Sequence, residues 1–201
     1  MVDDDSELSR RIAERVRQLR AERGYSLEAL AKRSGVSRSM LSVIERGESS
    51  PTATVLDKLA SGFGITLAAL FEAVAQEETA PRGPLLRREQ QSTWRDPASG
   101  YVRRNVSPPS AAGEAALQIV EVRFPAGARV AFENGVRDVR VHQQVWILEG
   151  NMDVTVGSER YRLETGDCLA MQLDEPTMFH NPTRKAARYA VVLASQARSG
   201  R

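Results

Sequence analysis

Residues 26–52 read SLEALAKRSGVSRSMLSVIERGESSPT, and this stretch decides the first half of the chain. Ser26 stands where a hydroxyl can accept the unpaired N–H groups that open a helix, and Leu27, Leu30 and Ala31 then recur at helical spacing. Gly35 follows, the residue that most readily takes the left-handed conformation ending a helix. Val36 is the apolar residue of the turn and is expected to bury beneath it. Ser37 is a second N-cap, and Leu41 and Ile44 carry the inward stripe of the next helix, which Gly47 ends. Two short helices joined by a tight turn are therefore expected, with small Ala31 where they cross.

Working outward, Leu8, Ile12, Val16 and Leu19 fall on one face of a preceding helix, which Gly24 closes. Downstream, SPTATVLDKLASGFG supplies a fourth helix with Val55, Leu56 and Leu59 inside, and TLAALFEAV (66–74) a fifth. The first domain is accordingly an all-α unit of five helices over residues 1–75.

The chain of 201 residues carries a formal charge of only +2, but between Arg10 and Lys58 there are 11 Lys or Arg against 6 Asp or Glu. Asp3, Asp4, Asp5 and Glu7 offset most of that excess. A basic body behind an acidic tail is compatible with binding nucleic acid. No apolar stretch reaches the length of a membrane span and the start has no signal-like apolar region, so a cytoplasmic protein without membrane contact is expected. The single cysteine, Cys168, excludes an internal disulfide and reads as a small packing residue.

The stretch from Ser26 to Thr52 closely resembles the helix-turn-helix of the lambda-repressor-like, xenobiotic-response-element (XRE) family of bacterial regulators, and the likeness extends over roughly residues 8–71. The resemblance implies that the helix after Ser37 enters the major groove of double-stranded DNA. Arg38, Ser39, Ser42 and Val43 fall at or beside its base-reading positions. Arg38 matches a bidentate grip on guanine, and Val43 suits only a thymine methyl or a sugar edge. Arg46, Ser50 and Thr52 fall where phosphates are held. Arg20 and Glu45 correspond to an ion pair that aims the helix rather than touching DNA.

QEETAPRGP, residues 76–84, has no periodicity and reads as a linker. Beyond it ALQIVEVRFPAG, QQVWILEG, MDVTVG, YRLETGD and ARYAVVLA are short β-branched runs separated by turn residues, the pattern of an all-β sandwich or barrel over residues 85–201. Two stretches, QQVWILEGNMDVTVG and GDCLAMQLDEPTMFHNP, resemble the two motifs of a cupin, a double-stranded β-helix barrel. Aligning Gly150 and Gly166 with the motif glycines puts Gln143 at the glutamate position, Val136 and Asp138 near the histidine pair, and Thr177 at the later histidine. Only Asn181 matches. The usual metal ligands are thus replaced, and no cofactor is expected. His142 is one residue out of register and should turn away from the interior if Gln143 turns in. His180 is three residues out. The alternative is a rearranged site in which His142, His180 and Asp138 hold a metal, as a metal-dependent cupin enzyme or metal sensor would need.

Alternation places Gln143, Val145 and Ile147 on one side, and Thr177, Phe179 and Asn181 on another inward face. These residues form either a filled core or an apolar pocket with a few polar groups for a small-molecule effector. Arg123, Arg137 and Arg140 are candidates for charge near an acidic ligand. Trp146 turns to the opposite face, against a second sheet or a dimer partner. An XRE-like domain followed by a cupin resembles bacterial one-component transcriptional regulators, which implies a homodimer on an operator with matching two-fold symmetry and no enzymatic activity. A self-cleaving repressor fits less well, because Lys185 is the one lysine of the C-terminal half. A helical module that binds only proteins is a further alternative.

Overall fold

The protein is described here by a computed structural model, over residues 3–67, 70–71, 83–108, 116–134 and 139–197. Among the described residues four α-helices occupy the N-terminal part: α1 (Asp3–Glu22), α2 (Leu27–Ser34), α3 (Arg38–Glu45) and α4 (Ala53–Phe63). Each expected cap is in place. The Ser26 and Ser37 hydroxyls accept the Ala29 and Met40 N–H groups at 3.1 and 3.2 Å, and Gly35 is left-handed at φ 69°. Gly24 and Gly47 are left-handed where α1 and α3 end. Ile12, Val16 and Leu19 of α1 bury against Leu30, Leu41, Ile44, Leu56 and Leu59, while Val36 fills the space beneath the turn. The Leu8 side chain lies outside the described residues.

The fifth helix expected over residues 66–74 falls largely outside the described residues. At its expected start the Leu70 N–H donates to the Thr66 carbonyl at 3.1 Å, and Leu70 and Phe71 are buried, but a fifth helix is not among the described elements. Most of the expected linker also lies outside them.

The C-terminal part is two antiparallel sheets. Its strands are β1 (Thr93–Arg95), β2 (Val102–Asn105), β3 (Ala116–Phe124), β4 (Arg129–Phe132), β5 (Val139–Glu149), β6 (Met152–Val156), β7 (Glu159–Leu163), β8 (Cys168–Gln172), β9 (Thr177–His180) and β10 (Ala187–Ala197). One sheet runs β1-β2-β3-β10-β5-β8 and the other β4-β9-β6-β7. Their inner faces meet through aromatic contacts: Phe179 of one sheet stacks on Tyr189 of the other at 5.8 Å and 10°. Along β5, Val141, Gln143, Val145 and Ile147 point inward and are buried, whereas His142, Gln144 and Trp146 are exposed. The register expected for His142 against Gln143 is therefore the one observed.

The two parts are not separate cores on a tether. α4 lies against β4, and the contact is both polar and apolar. Asp96, in the turn between β1 and β2, reaches back to accept the Ala53 N–H at 2.8 Å, beside Thr52, whose hydroxyl accepts from Val55. A carboxylate there also opposes the positive end of the helix dipole. The Thr54 hydroxyl donates to the Ala131 carbonyl at 3.0 Å, and Lys58 pairs with Glu133 at 2.8 Å. Phe71 meets Trp94 at a ring separation of 5.4 Å, with the Arg103 guanidinium 5.2 Å from the Phe71 ring centre. The buried apolar cluster consequently runs from Ile12 to Leu193 without a break at the domain boundary.

Candidate functional site

The helix α3 is held by its far end and open at its near end. The Arg20 guanidinium donates to both Glu45 oxygens, from Nε at 2.6 Å and Nη2 at 2.8 Å, and to the Tyr25 carbonyl at 3.0 Å. Glu45 is largely buried and Arg20 partly so. Two parallel bonds fix direction as well as distance, so α3 is aimed relative to α1. The bond to Glu45 raises the Arg20 pKa further above its usual value. This is the structural pair expected from the sequence.

At the opposite end Arg38 and Ser39 are exposed on the first turn of α3, and no ion pair among the described residues holds the Arg38 guanidinium. The Ser39 and Ser37 hydroxyls lie 3.1 Å apart. Ser42 and Val43, one turn on, are half-buried. Met40 is 42% exposed beside them. It was not singled out as a reading residue. Its signal in the sequence is an apolar side chain off the Leu41–Ile44 stripe, on the outward face of α3.

The expected phosphate-contacting residues have their own partners. Arg46 forms two bonds with Glu48, at 2.6 and 2.7 Å, and a third with the Ser42 hydroxyl. The bond holds the Glu48 carboxyl below its ordinary range and lifts Arg46. Both side chains are exposed, so a phosphate would compete with the carboxylate in solvent, where such a pair is weak. The Ser50 hydroxyl lies 3.1 Å from that of Ser9, and Thr52 caps α4.

In the barrel, a cavity of about 640 Å3, counting its open mouth, lies among residues of both parts of the chain. Of the six pocket residues expected, Gln143, Thr177 and Phe179 line it. Val145 and Ile147 share the inward face of Gln143 but are fully buried in packing farther along β5. Asn181 is also elsewhere. Its amide donates to the Phe124 and Lys185 carbonyls at 3.3 and 2.8 Å and its oxygen accepts from Thr183, so it clamps the loop between β9 and β10. Arg123 and Arg140 are exposed and line no part of the cavity; Arg137 lies outside the described residues. The cavity's arginine is Arg103, on β2.

Three further lining groups were missed. Asp57 of α4 is 2% exposed, and its carboxylate accepts the Asn134 N–H at a long 3.4 Å. Asn134 has φ 47°, a left-handed conformation that asparagine tolerates, and its amide donates to the Glu175 carbonyl at 2.9 Å and the Thr177 hydroxyl at 3.0 Å. Tyr101 also faces the cavity, and burial pushes its hydroxyl and that of Tyr189 well above the ordinary tyrosine range, so both stay neutral.

The histidines occupy different sheets. His142 is exposed on β5, and the His180 ring on β9 lies 3.7 Å from Asp153. Asp138, the third member of the alternative metal site, lies outside the described residues. Cys168 is exposed on β8 across from Trp146, which corrects the expectation of a packing residue.

A helical unit with a capped, outward-facing second helix, seated on a two-sheet barrel, defines a helix-turn-helix protein with an appended β-domain. The family model described as Helix-turn-helix (HTH_3) matches residues 16–70. The transcriptional regulator SutR of Escherichia coli K12 is 28% identical over 174 residues, 87% of this chain and 89% of that protein. DdrOP3 of Deinococcus deserti is 42% identical over 64 residues, 32% of this chain and half of that regulator. The crystal structure of an HTH_3 family transcriptional regulator from Vibrio cholerae shares 28% identity at a TM-score of 0.72, covering 94% of this chain and 97% of that one. Residues 16–70 thus match the helix-turn-helix of this type of transcriptional regulator, and over nearly its whole length the chain is similar to regulators that carry that unit ahead of a second part.

Removing Arg20 leaves the Glu45 carboxylate buried without its partner. Arg20→Ala is expected to cost on the order of 2–3 kcal/mol, less than a fully buried pair because Arg20 keeps some exposure. A thermal melt should fall by about 5–10 °C. An unchanged melt with weakened DNA binding would instead make Arg20 a DNA contact.

Proposed function

We propose that the protein is a sequence-specific DNA-binding regulator that acts as a homodimer on a two-fold operator, with a cupin barrel that pairs the copies and senses a small molecule. The observation that carries the DNA-reading part is the arrangement of α3, locked by the Arg20–Glu45 pair at one end and presenting Arg38 to solvent at the other. In that pose Arg38 and Ser39 lead into the major groove, with Ser42 and Val43 behind them. Met40 adds a second apolar contact suited to a thymine methyl. Arg46, Ser50 and Thr52 face the phosphates, with Arg46 exchanging Glu48 for the backbone.

The pairing surface is the outer face of the six-stranded sheet. Trp146 is 50% exposed on β5, and Leu117 and Ile119 on β3 are exposed across the intervening β10. An aromatic anchor within an apolar sheet face suits a second copy of the same face. The barrel is read as metal-free and non-catalytic. Gln143 and Thr177 at the motif positions support this, since neutral amide and hydroxyl oxygens are poor ligands for transition metals.

Two variants test these assignments. On a site selected from random duplexes, Arg38→Ala should lose about 10- to 100-fold in affinity, with a much smaller loss on unrelated duplex, as expected when one bidentate base contact is removed. Equal losses on both would make Arg38 a phosphate contact. Sedimentation of Trp146→Glu should give a monomer where the unaltered chain gives a dimer, and a persistent dimer would move the interface elsewhere.

A further inference from the structure

The cavity is built by both domains. Arg103, Gln143 and Thr177 come from the barrel, whereas Asp57, Thr66 and Leu67 come from the helical part. Arg103 and Asp57 are both buried and both line it, so a cation and an anion serve one cavity. Neutral groups share the lining, among them Gln143, Asn134 and Thr177. The rest of the wall is aliphatic and aromatic, its aromatic part including the stacked Phe179 and Tyr189 with Phe124 beside them.

We infer that this interdomain cavity is an effector site for a small amino-acid-type zwitterion, whose carboxylate meets Arg103, whose ammonium meets Asp57 and whose apolar side chain lies on the aromatic wall. A dianion would face the Asp57 carboxylate and a polyamine the Arg103 guanidinium, each at the cost of a buried like-charge contact. A zwitterion matches the sign of the charge at both ends.

Asp57 links occupancy to DNA. It belongs to α4, whose Gly62 packs so closely on Ser34 of α2 that a Cβ at that position would come within 2.8 Å of the Ser34 Cβ. The Arg33 guanidinium of α2 also donates to the Gly62 carbonyl at 3.1 Å. A shift of α4 is therefore passed to α2 and on to α3. This inference rests on the regulator reading for its consequence, but ligand binding itself does not.

The test uses the full-length protein and the proteinogenic L-amino acids, with the N-acetyl and carboxamide derivative of each. At least one amino acid with an apolar side chain should raise the melting temperature by about 5–10 °C at a hundredfold excess over its Kd. The rise should vanish for its N-acetyl form and its amide, and for Asp57→Asn and Arg103→Gln. The derivatives keep the test decisive if either variant fails to fold. No shift with any amino acid, or an equal shift with a derivative lacking one charge, would overturn the inference. Affinity for the selected duplex, measured with and without the amino acid, should change by about 5- to 150-fold, the usual range of allosteric coupling. Failure to bind any duplex would sink the regulator reading and leave the melting result standing, whereas an unchanged duplex affinity would overturn the link through α4.

Discussion

One carboxylate of the barrel, Asp96, closes the first turn of a helix in the other domain. The Ala53 N–H it accepts is one of the donors that α4 cannot satisfy internally, and the contact is buried. Asp96 is itself held by the Ser99 N–H at 2.8 Å and the Ser99 hydroxyl at 2.5 Å, which fixes the direction of the acceptor. An unsatisfied donor and carboxylate buried there would cost about 1–3 kcal/mol or more. That penalty makes separation of the domains unfavourable at its polar centre, and the Phe71–Trp94 contact makes it unfavourable at its apolar edge.

With α4 seated, the rest of the placement follows. Along its length α4 contributes the Ala53 amide to the barrel, the Asp57 carboxylate to the cavity and the Gly62 backbone to α2. α2 and α3 are joined by a turn in which Gly35 and the two serine caps leave little freedom. Arg20 then sets the far end of α3. In the proposed reading α3 and the cavity are therefore connected through α4 and α2, and the signal does not have to pass through the linker. Energy enters such a device only as a difference in ligand affinity between two placements of α4.

The helical half was legible because its determinants are local. Serine caps, glycine ends and the apolar stripe act within a few residues of themselves, and over α1 to α4 the described ones lie where the pattern puts them. The barrel was legible in its long strands, whereas β1, β2 and β4 were not recognised. TWR, VRRN and RVAF are too short and too charged to alternate visibly, and their pairing is set by neighbours distant in sequence. The cavity was half legible. Alternation correctly turned Gln143, Thr177 and Phe179 inward, but it could not distinguish lining from packing for Val145 and Ile147. Asp57 did leave a trace: it falls on the stripe with Ala53, Leu56 and Ala60, where a charge is costly unless something faces it. What faces it is the second domain, and no local pattern reports that.

The most direct measurement of domain unity is calorimetric unfolding of the whole chain at a fixed protein concentration. Seating α4 on the barrel predicts a single transition whose calorimetric and van't Hoff enthalpies agree once dimer dissociation is included. Two resolved transitions, one for the helices and one for the barrel, would contradict it and return the domains to independent units on a tether.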